Sequence, residues 1–225
     1  MTKSKGNRSY NLVDCGLTNY RQNYRYQLKL FRRRLDRKGE DTLIVTRHQP
    51  TVTMGKSASY EDLLISREHL KDRGVSLVEV GRGGGITYHG PGQIVLYPLF
   101  DLRGYGKDLK EFICRLGTVM EKTAVNFGLE AEFREDDKIG LWVRGRREKL
   151  GSIGLKVKRW YTMHGIALNV SLDQEKASLI RPCGISESSL ASISDFADLK
   201  PGEVKEVLLT EFARAFDREG GNNGA

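Results

Sequence analysis

The twelve residues from Arg82 to Gln93, RGGGITYHGPGQ, hold five glycines, one proline and one histidine. No other stretch restricts the fold as much. A glycine run has no side chains to pack, so it is ordered only where something else approaches its backbone closely. Strand-like sequences flank it: VSLVEV (75–80) before and IVLYPLF (94–100) after, both rich in β-branched and aromatic residues. The segment is therefore a strand–loop–strand crossing. A P-loop needs Lys-Ser or Lys-Thr at a fixed distance after its glycines, and none follows here. A dinucleotide fingerprint must open a helix whose N-terminus meets a pyrophosphate, and these glycines run into a strand instead. With a phosphate cradle disfavoured, Gly83, Gly84 and Gly85 are left to admit a ligand or a second backbone. Pro91, between Gly90 and Gly92, stiffens the turn that follows.

The rest of the chain alternates between two periods. YNLVDCG (10–16) and TLIVT (42–46) read as strands, as do IGLWV (139–143), GSIGLKV (151–157) and MHGIALNV (163–170). The last three lie so close together that antiparallel hairpins are expected. Helical spacing marks 18–36, with Tyr20, Tyr24, Leu28, Phe31 and Leu35 on one face, and 107–127, with Phe112, Leu116, Met120 and Phe127. A last helix over about 202–217 sets Val204, Leu208, Phe212 and Ala215 on its inner side. The expectation is one α/β domain of the α+β kind over 10–217, a largely antiparallel mixed sheet flanked by helices. Residues 1–9 and 218–225 are expected to be unordered tails.

Charge narrows the partners. Residues 1–38 carry eleven Lys or Arg against Asp14 and Asp36, a local +9 in a chain whose total is +8. The excess belongs to one segment, as a solvated helix face or as a docking surface for an acidic partner. Nucleic acid ranks below both, because the tyrosines there sit at helical core spacing. Three cysteines without CxxC spacing imply reduced thiols, with no zinc site and no metal. No apolar run approaches a membrane span and no secretory signal opens the chain, so a cytoplasmic protein that does not enter membranes is expected.

Two further stretches carry chemistry: EKLGSIGLKV (148–157) and IRPCGIS (180–186). Cys183, between Pro182 and Gly184, is a thiol on a tight turn. A lone cysteine is usually a small hydrophobe, so a nucleophile needs an activator. Lys149 offers an ammonium, and His89 and His164 offer an imidazole; pattern alone leaves the choice open.

Together, RGGGITYHGPGQ, KLGSIG, HGIALNV and PCGI, in this order and at these spacings, resemble the lipoyl(octanoyl) transferases of the biotin and lipoate protein ligase catalytic-domain superfamily. The resemblance spans about 10–215. It implies transfer of an octanoyl group from octanoyl-acyl carrier protein to a lysine of a lipoyl domain, with no cofactor. It implies Cys183 as the acyl-accepting nucleophile and Lys149 as the lysine that lowers its pKa. It also implies three acyl-binding segments: Arg82, Gly83, Gly84, Gly85, Ile86, Thr87, Tyr88 and His89; then Ser152, Ile153 and Gly154; then Gly165, Ile166 and Ala167. On this view the bare backbone is the wall of a narrow slot, where each buried methylene is worth about 0.8 kcal/mol. The acceptors implied are the lipoyl domains of 2-oxoacid dehydrogenase complexes and the glycine cleavage H protein, and the protein is expected to be a monomer. His89 and His164 are expected near the pocket as positioning or structural groups; Cys15 and Cys114 are expected to be passive. RHQPTVTMGKSA (47–58) is a looser version of the family's strand segment there. An ATP-dependent lipoate or biotin ligase is the alternative within the superfamily, and a basic nucleic-acid-binding module the one outside it.

Overall fold

A computed structural model describes residues 2–4, 9–136, 139–182, 189–200 and 202–217. Among them are twelve strands: β1 (Thr2–Ser4), β2 (Asn11–Thr18), β3 (Thr42–His48), β4 (Thr51–Met54), β5 (Ser76–Glu79), β6 (Ile86–His89), β7 (Gln93–Leu99), β8 (Ala131–Arg134), β9 (Gly140–Val143), β10 (Glu148–Lys158), β11 (Tyr161–Asn169) and β12 (Ser189–Leu190). The helices are α1 (Tyr20–Leu35), α2 (Arg67–Asp72), α3 (Leu109–Asn126), α4 (Gln174–Ala177) and α5 (Glu203–Phe216). β1, within the stretch expected to be a tail, pairs with β2 from Thr2 opposite Asp14 to Ser4 opposite Leu12.

The main sheet runs β1-β2-β3-β7-β11-β10-β9-β8, with β12 beside β10. β2 with β3 and β10 with β12 are parallel, and the other neighbours antiparallel. A separate small sheet has the order β5-β4-β6. The architecture is thus a mixed α/β fold with a mostly antiparallel sheet. The expected hairpins are present. β10 and β11 pair from Gly151 opposite Leu168 to Lys158 opposite Tyr161 and turn through Arg159 and Trp160 alone. Both turn residues have positive φ, 52° and 70°. That is the twist a two-residue hairpin loop requires, here without the usual Asn-Gly.

Packing differs between the two faces of the sheet. α3 and α5 cover one of them, where Phe100, Phe112, Phe212 and Phe216 meet largely edge-on or tilted around Leu116 and Met120. Asp108 caps α3 by accepting from Glu111 N–H at 3.0 Å. α1 covers the other face, capped by Asn19. Its buried residues are Tyr20, Asn23, Gln27 and Phe31, whereas Tyr24, Leu28 and Leu35 are only partly buried. The expected apolar face is thereby corrected: the helix turns two amides inward, because the sheet beneath offers polar partners. Its basic residues Arg21, Arg25, Lys29, Arg32 and Arg33 all point outward. The small sheet keeps its own core, in which Val52, Leu70, Ile86 and Tyr88 are buried. Among the described residues no helix is long and apolar enough to cross a membrane.

Candidate active site

The small sheet meets β10 at the glycine segment. Gly83 N–H donates to Leu155 O at 2.8 Å, so this glycine is spent on joining the two sheets. Gly84, with φ 83°, turns the chain back, and Gly55 N–H donates to Gly85 O at 3.2 Å. A Cβ at Gly55 would come within 2.7 Å of Arg82 Nη1, so only bare backbone lets the loop lie flat here.

Beneath that crossing lies a cavity of about 210 Å³. Arg82, Gly84, Gly85, Ile86, Thr87 and Tyr88 line it from the first expected segment, and Ser152 and Ile153 from the second. Lys149 and Pro182 line it too. A smaller cavity of about 20 Å³ shares Arg82, Thr87, Ser152 and Ile153 with it and is further lined by His89, Gly154, Gly165, Ile166 and Ala167. The three segments, brought together from three distant parts of the chain, thus line two cavities that share a wall. Gly83 is the one member absent from both linings.

Lys149 is 3% exposed. Its Nζ donates to Ile139 O at 2.9 Å and lies 5.2 Å from the centre of the Trp142 ring, a residue paired with it across β9 and β10. Gly140 makes this position possible, since a Cβ there would come within 2.6 Å of Lys149 Cε. β12 runs beside the same strand, with Leu190 opposite Lys149. Cys183 lies outside the described residues; its chain neighbour Pro182 is on the cavity wall, and Ser189, where description resumes, is opposite Glu148.

A buried polar relay supports this wall. Asn169 Nδ2 donates to Lys149 O at 3.1 Å and to Ala191 O at 2.9 Å. Asn169 Oδ1 accepts from Gln93 Nε2 at 2.9 Å, and the same amide nitrogen donates to Tyr88 O at 3.2 Å. Gln93 Oε1 is left to accept from His89 Nδ1 at 2.7 Å. His89 therefore keeps its proton on Nδ1 and turns Nε2 toward Thr53 Oγ1, 3.4 Å away. Arg82 completes the relay, its Nη2 donating to Thr53 Oγ1 at 2.8 Å and to Thr53 O at 3.0 Å. The sequence reading missed Thr53, Gln93 and Asn169. All three stand in quoted stretches, RHQPTVTMGKSA, RGGGITYHGPGQ and HGIALNV, but their pairing is non-local and has no spacing signal.

The deep end is polar as well. His48 Nε2 is 2.8 Å from Tyr97 Oη, and Tyr20 stacks on His89 with ring centres 5.4 Å apart. Burial pushes His48 down to about 4 and His89 well below the ordinary imidazole value, and Tyr20 up to about 12. His164 is pushed down to about 3 by burial, with Arg82 and Lys156 adding to the effect. These imidazoles are neutral at physiological pH. His89 and His164 line the inner cavity and Lys149 the outer one, next to Pro182. Of the three candidate activators, Lys149 is the one that lines the same cavity as Pro182.

Elsewhere the thiols are quiet: burial raises Cys15, and burial with a hydrogen bond to Glu135 raises Cys114. Among the described residues no cluster of three or more His, Cys, Asp or Glu side chains is arranged to hold a metal ion.

The lipoyl protein ligase A/B catalytic-domain model matches residues 19–213. A Caldicellulosiruptor saccharolyticus protein named octanoyltransferase is 42% identical over 184 residues, covering 81% of this chain and 77% of its own. A Desulfotalea psychrophila protein of the same name is 38% identical over 211 residues, covering 91% and 93%. Among solved structures, lipoate-protein ligase A bound with ATP matches with a TM-score of 0.74 at 18% identity, over 91% of this chain and 84% of that one. A bipartite lipoate protein ligase from Thermoplasma acidophilum gives 0.71 at 17%, over 91% and 82%. At such identities these two likenesses carry the fold alone. On the match over 19–213 and these two octanoyltransferase relatives, the chain belongs to the lipoyl protein ligase A/B catalytic-domain family, among its octanoyltransferases, and is an acyltransferase enzyme.

Proposed function

We propose that the protein transfers an octanoyl group from octanoyl-acyl carrier protein to a lysine of a lipoyl domain through a thioester on Cys183. The observation that carries this is the shared wall: Lys149 and Pro182 line one cavity, which shares a wall with a second among the three glycine-rich segments. Lys149 is buried on that wall, and Pro182 directly precedes Cys183 in the chain.

Two half-reactions follow. The Cys183 thiolate, held by the Lys149 ammonium, attacks the donor thioester carbon, and the carrier's thiolate leaves with the Lys149 proton. Thiol and thiol are of similar basicity, so this exchange is close to thermoneutral. The acceptor lysine then attacks as a neutral amine; its C–N bond forms, the C–S bond to Cys183 breaks, and Lys149 takes the amine proton as general base. The thiolate–ammonium pair is restored. Amide formation from a thioester runs downhill, and ATP has no part. Backbone N–H groups at the Cys183 turn are the proposed donors to the oxyanion. The acceptors are the lipoyl domains of 2-oxoacid dehydrogenase complexes and the glycine cleavage H protein; the enzyme acts as a cytoplasmic monomer, and the basic outer face of α1 receives the acidic carrier protein.

The test is intact-protein mass spectrometry after incubation with octanoyl-acyl carrier protein, without ATP or acceptor. One octanoyl adduct, released by hydroxylamine and missing in Cys183→Ser, is expected. Octanoylation of a lipoyl domain that needs ATP and free octanoate, with no adduct, would make the chain a ligase of the kind its fold also serves.

A further inference from the structure

We propose that His164 is the end stop of the acyl slot and sets the longest chain that the slot admits; this rests on reading the cleft as an acyl slot. Lys149 stands at one end of β10, and Leu155, six residues on, is paired with His164 on β11. At the usual rise of a strand these lie roughly 20 Å apart, so His164 occupies the far end.

Three observations make it a stop rather than a piece of wall. His164 is 1% exposed, and neither ring nitrogen has a hydrogen-bond partner among the described residues. The side chain lines the inner cavity of about 20 Å³, room for a single water, with Tyr20 and Tyr97 on the same wall. And the ring is fixed. Tyr24 stacks on it with centres 5.5 Å apart and planes at 21°, while the backbone, at φ 65°, is pinned by His164 N–H donating to Gln27 Oε1 at 3.3 Å.

A neutral imidazole presents one donor and one acceptor on diverging sides of its ring, and a cavity with room for one water can serve one of them. A chain that stops short of His164 leaves that nitrogen its water. A longer one drives its terminal methyl against the imidazole edge and takes the water's place, so that a buried polar atom faces hydrocarbon. The resulting discrimination is on the order of ten- to a hundredfold. The polar stop gives the slot a fixed length without a tight hydrocarbon fit.

Calorimetric titration with free octanoate, decanoate, dodecanoate and tetradecanoate tests this without any chemistry. The wild-type protein is expected to favour the shorter acids. In His164→Gly, whose backbone suits the positive φ, the dodecanoate-to-octanoate affinity ratio is expected to rise by at least about tenfold. An unchanged ratio in a folded His164→Gly protein overturns the proposal. If that variant melts below the assay temperature, His164→Asn, which also tolerates this backbone, must raise the ratio by at least about threefold, or the proposal fails. Should no fatty acid bind the wild type at all, the slot itself is refuted and the stop with it. Clear wild-type discrimination that ignores residue 164 refutes the stop alone.

Discussion

The two faces of the main sheet are both covered by helices and differ in character, although the α1 side also buries Phe31, Ile44, Val95 and Met163. Under α3 and α5 lie phenylalanines in edge-on and tilted contact, with Leu116 and Met120 fully enclosed. Under α1 lie His48, His89, His164 and Tyr97, with Tyr20, Asn23 and Gln27 reaching down from the helix. The first face stabilises the fold by removing hydrocarbon from water. The second gains less, because each polar group must exchange water for a partner, and neither ring nitrogen of His164 has one among the described residues. A buried face so poorly suited to stability is where a site belongs. The cleft lies on that side, reached from the end where Lys149 stands.

That contrast can be broken in three places. The largest expected effect is at the mouth of the cleft. Lys149→Arg keeps a cation but removes the base, so acyl transfer per folded molecule should fall by about 10²- to 10⁴-fold. Single-turnover transfer from preformed acyl-enzyme measures it, and full activity would end the base assignment. Next comes the dry face. Phe212→Ala should lower the unfolding free energy by about 3–5 kcal/mol while turnover per folded molecule stays within a few-fold. Urea unfolding beside an activity assay decides this; a matching collapse of turnover would mean the two faces are not separable.

Acid gives the smallest effect per residue and the most selective one. His48 is lowered to about 4, His164 to about 3 and His89 further still, while an unfolded histidine takes its proton near 6.5. Between these values the unfolded chain binds more protons than the folded one. Stability should therefore be level above pH 6.5 and fall steadily as pH drops toward 4, by up to about 3 kcal/mol for each of the three histidines. The lowered carboxylates Asp14 and Asp101 act below the ordinary carboxylate value of 3.8, at the foot of this window. Urea midpoints from pH 7.5 to 4 test it. A flat profile would mean that the histidines are protonated as readily in the folded protein as outside it, and the polar face would lose its distinction.

Much of the frame was legible in the sequence because it depends on local period. The β9, β10 and β11 stretches, α3 and α5 all sit within a few residues of the expected positions, and Lys149 lies on a strand as expected. The glycine segment announced close approach correctly, although Gly83 serves the joint between sheets and not the cleft. What the sequence hid is non-local or polar. Asn23 and Gln27 escaped because a period search counts apolar residues. The three-stranded sheet escaped because β4 finds its partners at 76–79 and 86–89, far along the chain. The relay from Asn169 to Arg82 joins five positions from four strands and the glycine loop, and no window along the chain contains it.

One strand carries both ends of the cleft. β10 begins at Glu148, beside Lys149, passes Ser152, Ile153 and Gly154, and reaches Leu155 opposite His164. Successive strand residues face opposite ways, so gaining or losing a single residue between Gly151 and Leu155 would turn every residue beyond it to the other face. Between Lys149 and Gly151 the pairing with β9 already shifts register. On the proposed reading of the cleft, replacing the side chain at His164 alters the length of chain admitted and leaves that facing intact.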